Sequence, residues 1–400
     1  MKGHLEIRDT KKKLPRGQHK WSLIIETGRD AAGVRGRKRY TFFGTKTEAE
    51  TELGRKLHQL ETGALVINDR YTVAEYLKHW LEAYAKPSTA PRTYERYQQL
   101  VDTHLAPTIG SHKLVKLTPL HLQNLYSDLL KSGRCDGEGG LSPQTVVHIH
   151  RVLHKALKQA LLWGLVMRNV TEAVSPPKVE RSKPDVLDVD QVKKLLEKLK
   201  GQDLYLPVLL ALHTGMRAGE ILGLRWQDVD LESGTVTVGS TLQVLKGEDG
   251  KGELSMKPPK SNAGRRSIPL TQETIEALKA HSAAQADHIA SRDEYHHNNL
   301  VVCRSDGSHW HPRSFSADWT KARKTAGVTC RFHDLRHTHA SLMLRSGTHP
   351  KALQERLGHS TAAFTMNVYA HLLPGVQEEA VANFEAMLTQ ARNKPEKAED

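Results

Sequence analysis

The chain has 400 residues, with 58 Lys and Arg against 45 Asp and Glu, a formal charge of +13 and a pI near 9.5. That length exceeds one ordinary domain of about 100–200 residues, and the basic excess favours a polyanionic partner, without distinguishing DNA from RNA or an acidic membrane. No run of 18 apolar residues occurs, and the three scattered cysteines, Cys135, Cys303 and Cys330, exclude both a disulfide framework and a cysteine zinc site. The opening MKGHLEIRDTKKK lacks the apolar core of an export signal, so the expectation is a soluble protein of a reducing cytoplasm.

Residues 4–43 alternate as strands do: Leu5 and Ile7, then Trp21, Leu23 and Ile25, then Tyr40 and Phe42, with turn residues between. A helical stretch from Thr47 to Glu61 follows and stops at Gly63. Residues 1–65 hold 15 Lys and Arg against 8 Asp and Glu. A three-stranded sheet backed by one helix, with Arg35, Arg37, Lys38 and Arg39 on its last strand, could lay that strand on a DNA groove. The bland alternative is a basic, solvated hairpin that only helps solubility.

From Thr72 the pattern becomes helical, with Val73, Tyr76, Leu77, Trp80, Leu81 and Tyr84 on one face. A break at Lys86 to Pro91 leads to a second helix, Arg92 to Leu105, and Leu120 to Leu130 makes a third. Ser142 as N-cap with Pro143 at the first helical position predicts a long helix through Trp163. Arg92, Arg96, Lys113, Lys116, Arg151, Lys155 and Lys158 lie outside the apolar stripe, which suits a DNA-facing bundle, although a protein-binding bundle would look the same. His148, His150 and His154, like His296 and His297, lack flanking Cys or carboxylate partners and read as solvated histidines rather than metal ligands.

The segment SPPKVERSKP has no periodicity and reads as an extended linker, placed at residues 176–186. Beyond it, Asp188 to Leu199 is an N-capped amphipathic helix and Leu204 to Thr214 a buried one. Gly234 to Val244 and Arg265 to Leu270 look like strands flanking a glycine- and lysine-rich segment, which predicts one small sheet inserted among helices. Helices are expected again over Thr271 to Ser282, Ser314 to Ala326 and the stretch from Phe332 to His371. After Pro374, Val376, Ala380, Val381, Phe384, Met387 and Leu388 recur at helical spacing.

Two segments carry chemistry: HTGMRAGEILGLRWQDVDL, with Arg217 at the head of a helical pattern, and FHDLRHTHASLMLRSGTHPKALQERLGHSTAAFTMNVYAH, from Phe332 to His371. A phosphodiester is cut without a metal when a nucleophile attacks in line, cations hold the charge growing on the non-bridging oxygens, and an acid protonates the leaving oxygen. Arg217 and Arg336 have planar forks suited to phosphate oxygens. Lys260, in PPKSNAGRRSIPL, could protonate a leaving 5′-hydroxyl, His333 and His359 could donate to the phosphate or move a proton, and Tyr369 is the candidate nucleophile. Taken singly, Arg217 reads as a helix-end arginine paired with Glu220, and Tyr369 as a core aromatic.

Taken together, the segments resemble the tyrosine recombinase (phage integrase) family. Arg217 within TGMRAGEILGLRW matches the first arginine box, Lys260 the strand-borne lysine, and His333 with Arg336 in HDLRHTHAS the His-x-x-Arg box; His359 in LGHS matches the second histidine and Tyr369 in VYAH the nucleophile. Lys257, three residues before Lys260, leaves room for a slip.

The resemblance implies a multidomain, mainly α protein. Residues 1–65 would be an arm-type DNA-binding domain with a three-stranded sheet and a helix, and 70–175 a helical core-binding (SAM-like) bundle. An α+β catalytic domain would span 187–375, with a tail helix and frayed end over 376–400. It implies a site-specific recombinase that joins DNA through a 3′-phosphotyrosyl link and a four-way junction, with no cofactor and no metal. Expected partners are double-stranded DNA at core and arm-type sites, a homotetramer on two sites whose tails dock on a neighbour or fold back on their own domain, and an accessory bending or excision factor, in a bacterial cytoplasm and with no membrane. Rival readings are a type IB topoisomerase-like enzyme and a non-catalytic DNA-binding regulator.

Overall fold

The computed structural model describes residues 3–8, 14–29, 35–61, 70–180, 184–247, 252–258, 264–358, 381–382, 384–386 and 389. The chain divides into two compact units, Met1–Arg181 and Ser182–Asp400. It is mainly helical with small antiparallel sheets.

The first unit opens with strands β1 (Gly3–Arg8), β2 (His19–Arg29) and β3 (Arg35–Gly44), hydrogen-bonded in that order. Leu23 lies opposite Leu5 on one side and Tyr40 on the other, and Trp21 opposite Phe42, so the alternating apolar residues share a face. Helix α1 (Lys46–Glu61) adds Ala49 and Leu53 to the core made by Trp21, Leu23 and Ile25. Ile7, near the end of the edge strand, stays exposed instead of joining that core. Arg37 and Arg39 on β3 meet Glu26 and Glu6 only at 3.8 and 3.7 Å in the open, pairs that contribute little to stability.

A helical bundle forms the rest of this unit: α2 (Val73–Trp80), α3 (Lys86–Ser88), α4 (Pro91–Leu100), α5 (Ala106–Ile109), α6 (Pro119–Ser132) and α7 (Pro143–Leu162). Thr72 and Glu75 cap α2 reciprocally, and Ser142 caps α7 by accepting the Thr145 N–H at 3.2 Å, with Pro143 in the first turn as its spacing predicts. The chain departs from the sequence reading at two π-helical turns, Leu81–Ala85 and Val101–Leu105. Each lies inside an expected helix, and the chain stays helical just beyond it, over Lys86–Ser88 and Ala106–Ile109, where a break and an end were expected. Tyr76, Trp80, Leu105, Leu122, Ile149 and Leu153 are wholly buried, and the Tyr76 hydroxyl donates to the Ala156 carbonyl at 2.6 Å. Two of the histidines expected to be solvated are instead half-buried and bonded: His150 to the Tyr126 hydroxyl and His154 to the Thr171 hydroxyl, both at 2.8 Å.

In the second unit Leu187, the residue just after the expected linker, is buried and donates its N–H to the Thr338 hydroxyl at 3.1 Å. Helix α8 (Val189–Leu199), capped by Asp188 and Gln191, is followed by the almost fully buried α9 (Tyr205–Thr214) and the short α10 (Ala218–Leu222). Strands β4 (Val229–Asp230) and β5 (Thr235–Val238) come next, then β6 (Thr241–Lys246), β7 (Gly252–Lys257) and β8 (Arg266–Pro269). Here the expectation of one small sheet is corrected. The run Gly234 to Val244 breaks at Gly239 and Ser240, where the Ser240 hydroxyl bonds the Gly223 carbonyl at 3.0 Å. The glycine- and lysine-rich segment supplies β7 as partner to β6, so a separate hairpin stands beside the sheet β4-β5-β8. Gly219 on α10 and Gly223 just after it admit that hairpin: a Cβ at Gly219 would lie 2.8 Å from the Leu242 carbonyl oxygen and one at Gly223 2.9 Å from the Leu242 nitrogen.

Helices α11 (Gln272–Ala290), α12 (Pro312–Ala326), α13 (Phe332–Arg345) and α14 (Pro350–Leu357) complete the unit, α11 running eight residues past Ser282. Within the tail only 381–382, 384–386 and 389 are described, all helical, with Val381 and Phe384 exposed. The remainder of the apolar stripe lies outside the described residues. No helix among the described residues is long and apolar enough to cross a membrane.

Candidate active site

The site is assembled around the turn that ends α9. Gly215 takes φ +67°, and a Cβ there would fall 2.6 Å from Leu357 Cδ2 and 2.7 Å from His339 Cδ2. Both the backbone conformation and the space demand glycine. Gly215→Ala should therefore destabilise the fold by about 2–4 kcal/mol, combining left-handed strain with overpacking, read as a lowered urea midpoint with an unchanged slope.

Two residues on, Arg217 stands at the head of α10. Its Nη1 donates to Glu220 Oε1 at 2.8 Å and its backbone N–H to Oε2 at 2.9 Å, while 41% of its side chain stays exposed. Glu220 is buried and is gripped from the other side by Arg266 on β8, Nη2 to Oε2 at 2.9 Å. Burial pushes the Glu220 carboxyl upward, but the hydrogen bond and charge of Arg266, then Arg217, outweigh it and hold the group below its usual range. A charged carboxylate thus fixes Arg217 from behind and leaves part of its fork outward.

Arg336 comes from α13 and is buried, its Nη1 on the Gly215 carbonyl and its Nη2 on the Leu357 carbonyl, both at 2.6 Å. His333, one turn earlier on the same face of α13, is exposed. Partial desolvation, then the cations of Arg336 and Arg217, lower its pKa, so it is neutral at physiological pH and feels both guanidiniums. His337 meets it edge-on at 5.2 Å and is pushed down to about 4 by burial and by His333. The buried Asp334 anchors the start of α13, accepting from Arg331 Nε at 3.0 Å and Nη2 at 2.8 Å.

Three of the six sequence-predicted residues, Arg217, His333 and Arg336, are therefore brought together from α10 and α13. Lys260, His359 and Tyr369 lie outside the described residues. Lys257, the competing lysine, ends β7 in an exposed position opposite Thr241. Arg266 was missed as a site residue. Its signal was the alternation of β8, in which Arg266 and Ile268 face inward and Ser267 outward. His339 and Arg356, which bond each other behind Arg336 at 3.1 Å, carried no such mark. Chemically, partly exposed and buried guanidiniums with a neutral imidazole make a seat for an oxyanion that gains charge during reaction.

Known proteins extend this picture. The model of the phage integrase family matches residues 185–375, and that of the phage integrase N-terminal SAM-like domain matches residues 72–130. The chain is 27% identical over 383 residues to a tyrosine recombinase XerC-like protein of Caldanaerobacter subterraneus subsp. tengcongensis, covering 91% of this chain and 95% of that one. It is 30% identical over 287 residues to the prophage integrase IntR of Escherichia coli (strain K12), covering 68% and 66%. Among solved structures it resembles the Tn1549 transposon integrase in complex with a circular intermediate DNA, with TM-score 0.64, 21% identity, and coverage of 79% of this chain and 99% of that one. Two models of one family, matched in order along more than half of the sequence, and an arginine–histidine cluster inside the larger match lead to one conclusion: the chain belongs to the phage integrase family.

Proposed function

We propose that the protein is a site-specific DNA recombinase that integrates or excises a mobile element, with Arg217, Lys260, His333, Arg336, His359 and Tyr369 as its catalytic set. The observation that carries this reading is the pair Arg217 and Arg336, fixed from separate elements by a buried carboxylate and two backbone carbonyls, with His333 in the field of both. In the reaction, the Tyr369 oxygen bonds the scissile phosphorus and its proton passes to a site histidine. The bond from phosphorus to the 5′-oxygen breaks, and Lys260 protonates that oxygen. Arg217 and Arg336 neutralise the charge that builds on the non-bridging oxygens. The 5′-hydroxyl of the partner duplex then attacks the 3′-phosphotyrosyl link and frees the tyrosine, passing through a four-way junction. The phosphodiester's energy is kept in the covalent link, so neither ATP nor a metal is required.

Residues 70–175 and 187–375 would act on the core site as core-binding and catalytic domains, and residues 1–65 would read arm-type sites with β3. A homotetramer would hold two duplexes, with tails exchanged between protomers and an accessory bending or excision factor setting direction. The DNA-bound state of the Tn1549 integrase supports duplex DNA as the substrate. The test is a nicked suicide duplex carrying the element's end sequence, taken from the DNA flanking the gene. A denaturation-resistant protein–DNA adduct is expected. A protein that shifts this duplex but never becomes attached to it would instead be a DNA-binding regulator.

A further inference from the structure

Arg356, at the end of α14, has no part in the reaction just described, yet it is bonded through both side chain and backbone. Its Nη2 donates to the His213 carbonyl on α9 at 2.7 Å, and its Nε to His339 Nε2 on α13 at 3.1 Å. Its own carbonyl accepts Arg266 Nε at 2.6 Å, and the next carbonyl, that of Leu357, accepts Arg336 Nη2 at 2.6 Å. Arg266 in turn grips the carboxylate that holds Arg217. One residue and its neighbour thus touch the supports of both site arginines.

The histidine makes the arrangement one-way. His339 is buried, and its Nδ1 lies 2.8 Å from the Leu212 carbonyl, which can only accept. Nδ1 therefore carries the proton and Nε2 is left as the acceptor for Arg356. Burial and the Arg356 charge push His339 down to about 3, which keeps it in that neutral form. Burial, then the nearby Arg266, also lowers Arg356's own pKa. A partly desolvated guanidinium whose acceptors among the described residues are a carbonyl and a neutral imidazole is an expensive way to fill space, and an apolar side chain of similar volume would pack there with less penalty.

We propose that Arg356 is a positioning residue: by pinning the end of α14 to α9 and α13, it holds the supports of Arg217 and Arg336 in one fixed relation. The proposal rests on the recombinase reading of the site. Its leverage comes from geometry, since a displacement of about 1 Å at a reacting centre can slow a reaction on the order of 10²-fold.

The test uses the full-length protein and the nicked suicide duplex, in a natural form and in one whose scissile phosphate is a methylphosphonate. The neutral methylphosphonate lacks one of the negative charges the arginines must meet. Arg356→Met keeps the stem and removes both side-chain bonds, Arg356→Lys keeps the charge but not the fork, and His339→Phe removes one acceptor and leaves Arg356 intact. On the natural duplex, Arg356→Met should form the adduct about 30–100-fold more slowly, with affinity for a single site within about threefold of wild type. Arg356→Lys and His339→Phe should fall between the two. On the methylphosphonate duplex the deficits should shrink to about fivefold or less. Wild-type rates in all three variants would overturn the proposal, as would equal deficits on both substrates, the mark of general disorder. Affinity falling in step with cleavage would make Arg356 a direct phosphate contact and overturn it as well. If Arg356→Met loses its cooperative melting transition, the same comparison is read from the other two. If the wild-type protein itself forms no adduct, it is the recombinase reading that fails.

Discussion

Tyr369→Phe should bind its DNA within about twofold of wild type and form no detectable covalent adduct. Removing one hydroxyl leaves the aromatic ring to pack and the arginines to hold phosphate, so the ground-state complex changes little. The reaction, however, loses the atom that makes the new bond. Loss of a covalent nucleophile typically slows turnover on the order of 10⁴–10⁶-fold, beyond what a suicide-substrate gel can register. A mobility shift alongside a denaturing gel makes the comparison. An adduct that persists in the variant would move the nucleophile to another residue, and peptide mapping of the labelled chain would find it.

Arg336→Ala should slow adduct formation by about 10²–10³-fold or more, the scale of losing a transition-state donor, while single-site binding falls far less. It should also cost stability, because the bonds from Arg336 to the Gly215 and Leu357 carbonyls are buried. Each carbonyl left without its donor costs about 1–3 kcal/mol. Arg217→Ala should match it in rate and differ in melting. Arg217 is partly exposed, and its carboxylate partner Glu220 remains held by Arg266. Adduct rates, binding isotherms and thermal melts of the two variants separate these roles. Losses of binding and cleavage that are equal in size would make both residues ordinary phosphate contacts.

Much of this site could be read before the fold was known. Arg217 and Glu220 lie three residues apart at a helix start, and His333 and Arg336 three apart on one helix, so local periodicity alone pairs them. The caps of α2, α7 and α8 were equally local. What escaped was long-range or conformational. The bonds joining His213, Arg266, His339 and Arg356 connect four distant stretches, and nothing near His339 in HTHAS distinguishes a clamped buried imidazole from a solvated one. The π-helical turns escaped because a single wider turn is a matter of backbone hydrogen bonding that no residue type marks. The hairpin β6-β7 escaped because glycines and lysines between strands look like a loop. Lys260, His359 and Tyr369 remain statements of sequence motif.

Arg217 and Arg266 share the Glu220 carboxylate, and Arg336 and Arg356 bring two further cations, linked to this pair through the Leu357 and Arg356 carbonyls. Such a surplus of one sign works against the compact state, and an anion that recognises only the folded site relieves it. Binding and folding are then linked. A ligand present at about a hundred times its dissociation constant adds about 2.7 kcal/mol to the free energy of unfolding, a large share of the stability of an ordinary domain. The persistence of this unit would then be a joint property of protein and polyanion. With DNA as that polyanion, as proposed, protein held on its site would resist urea and proteases better than protein free of it.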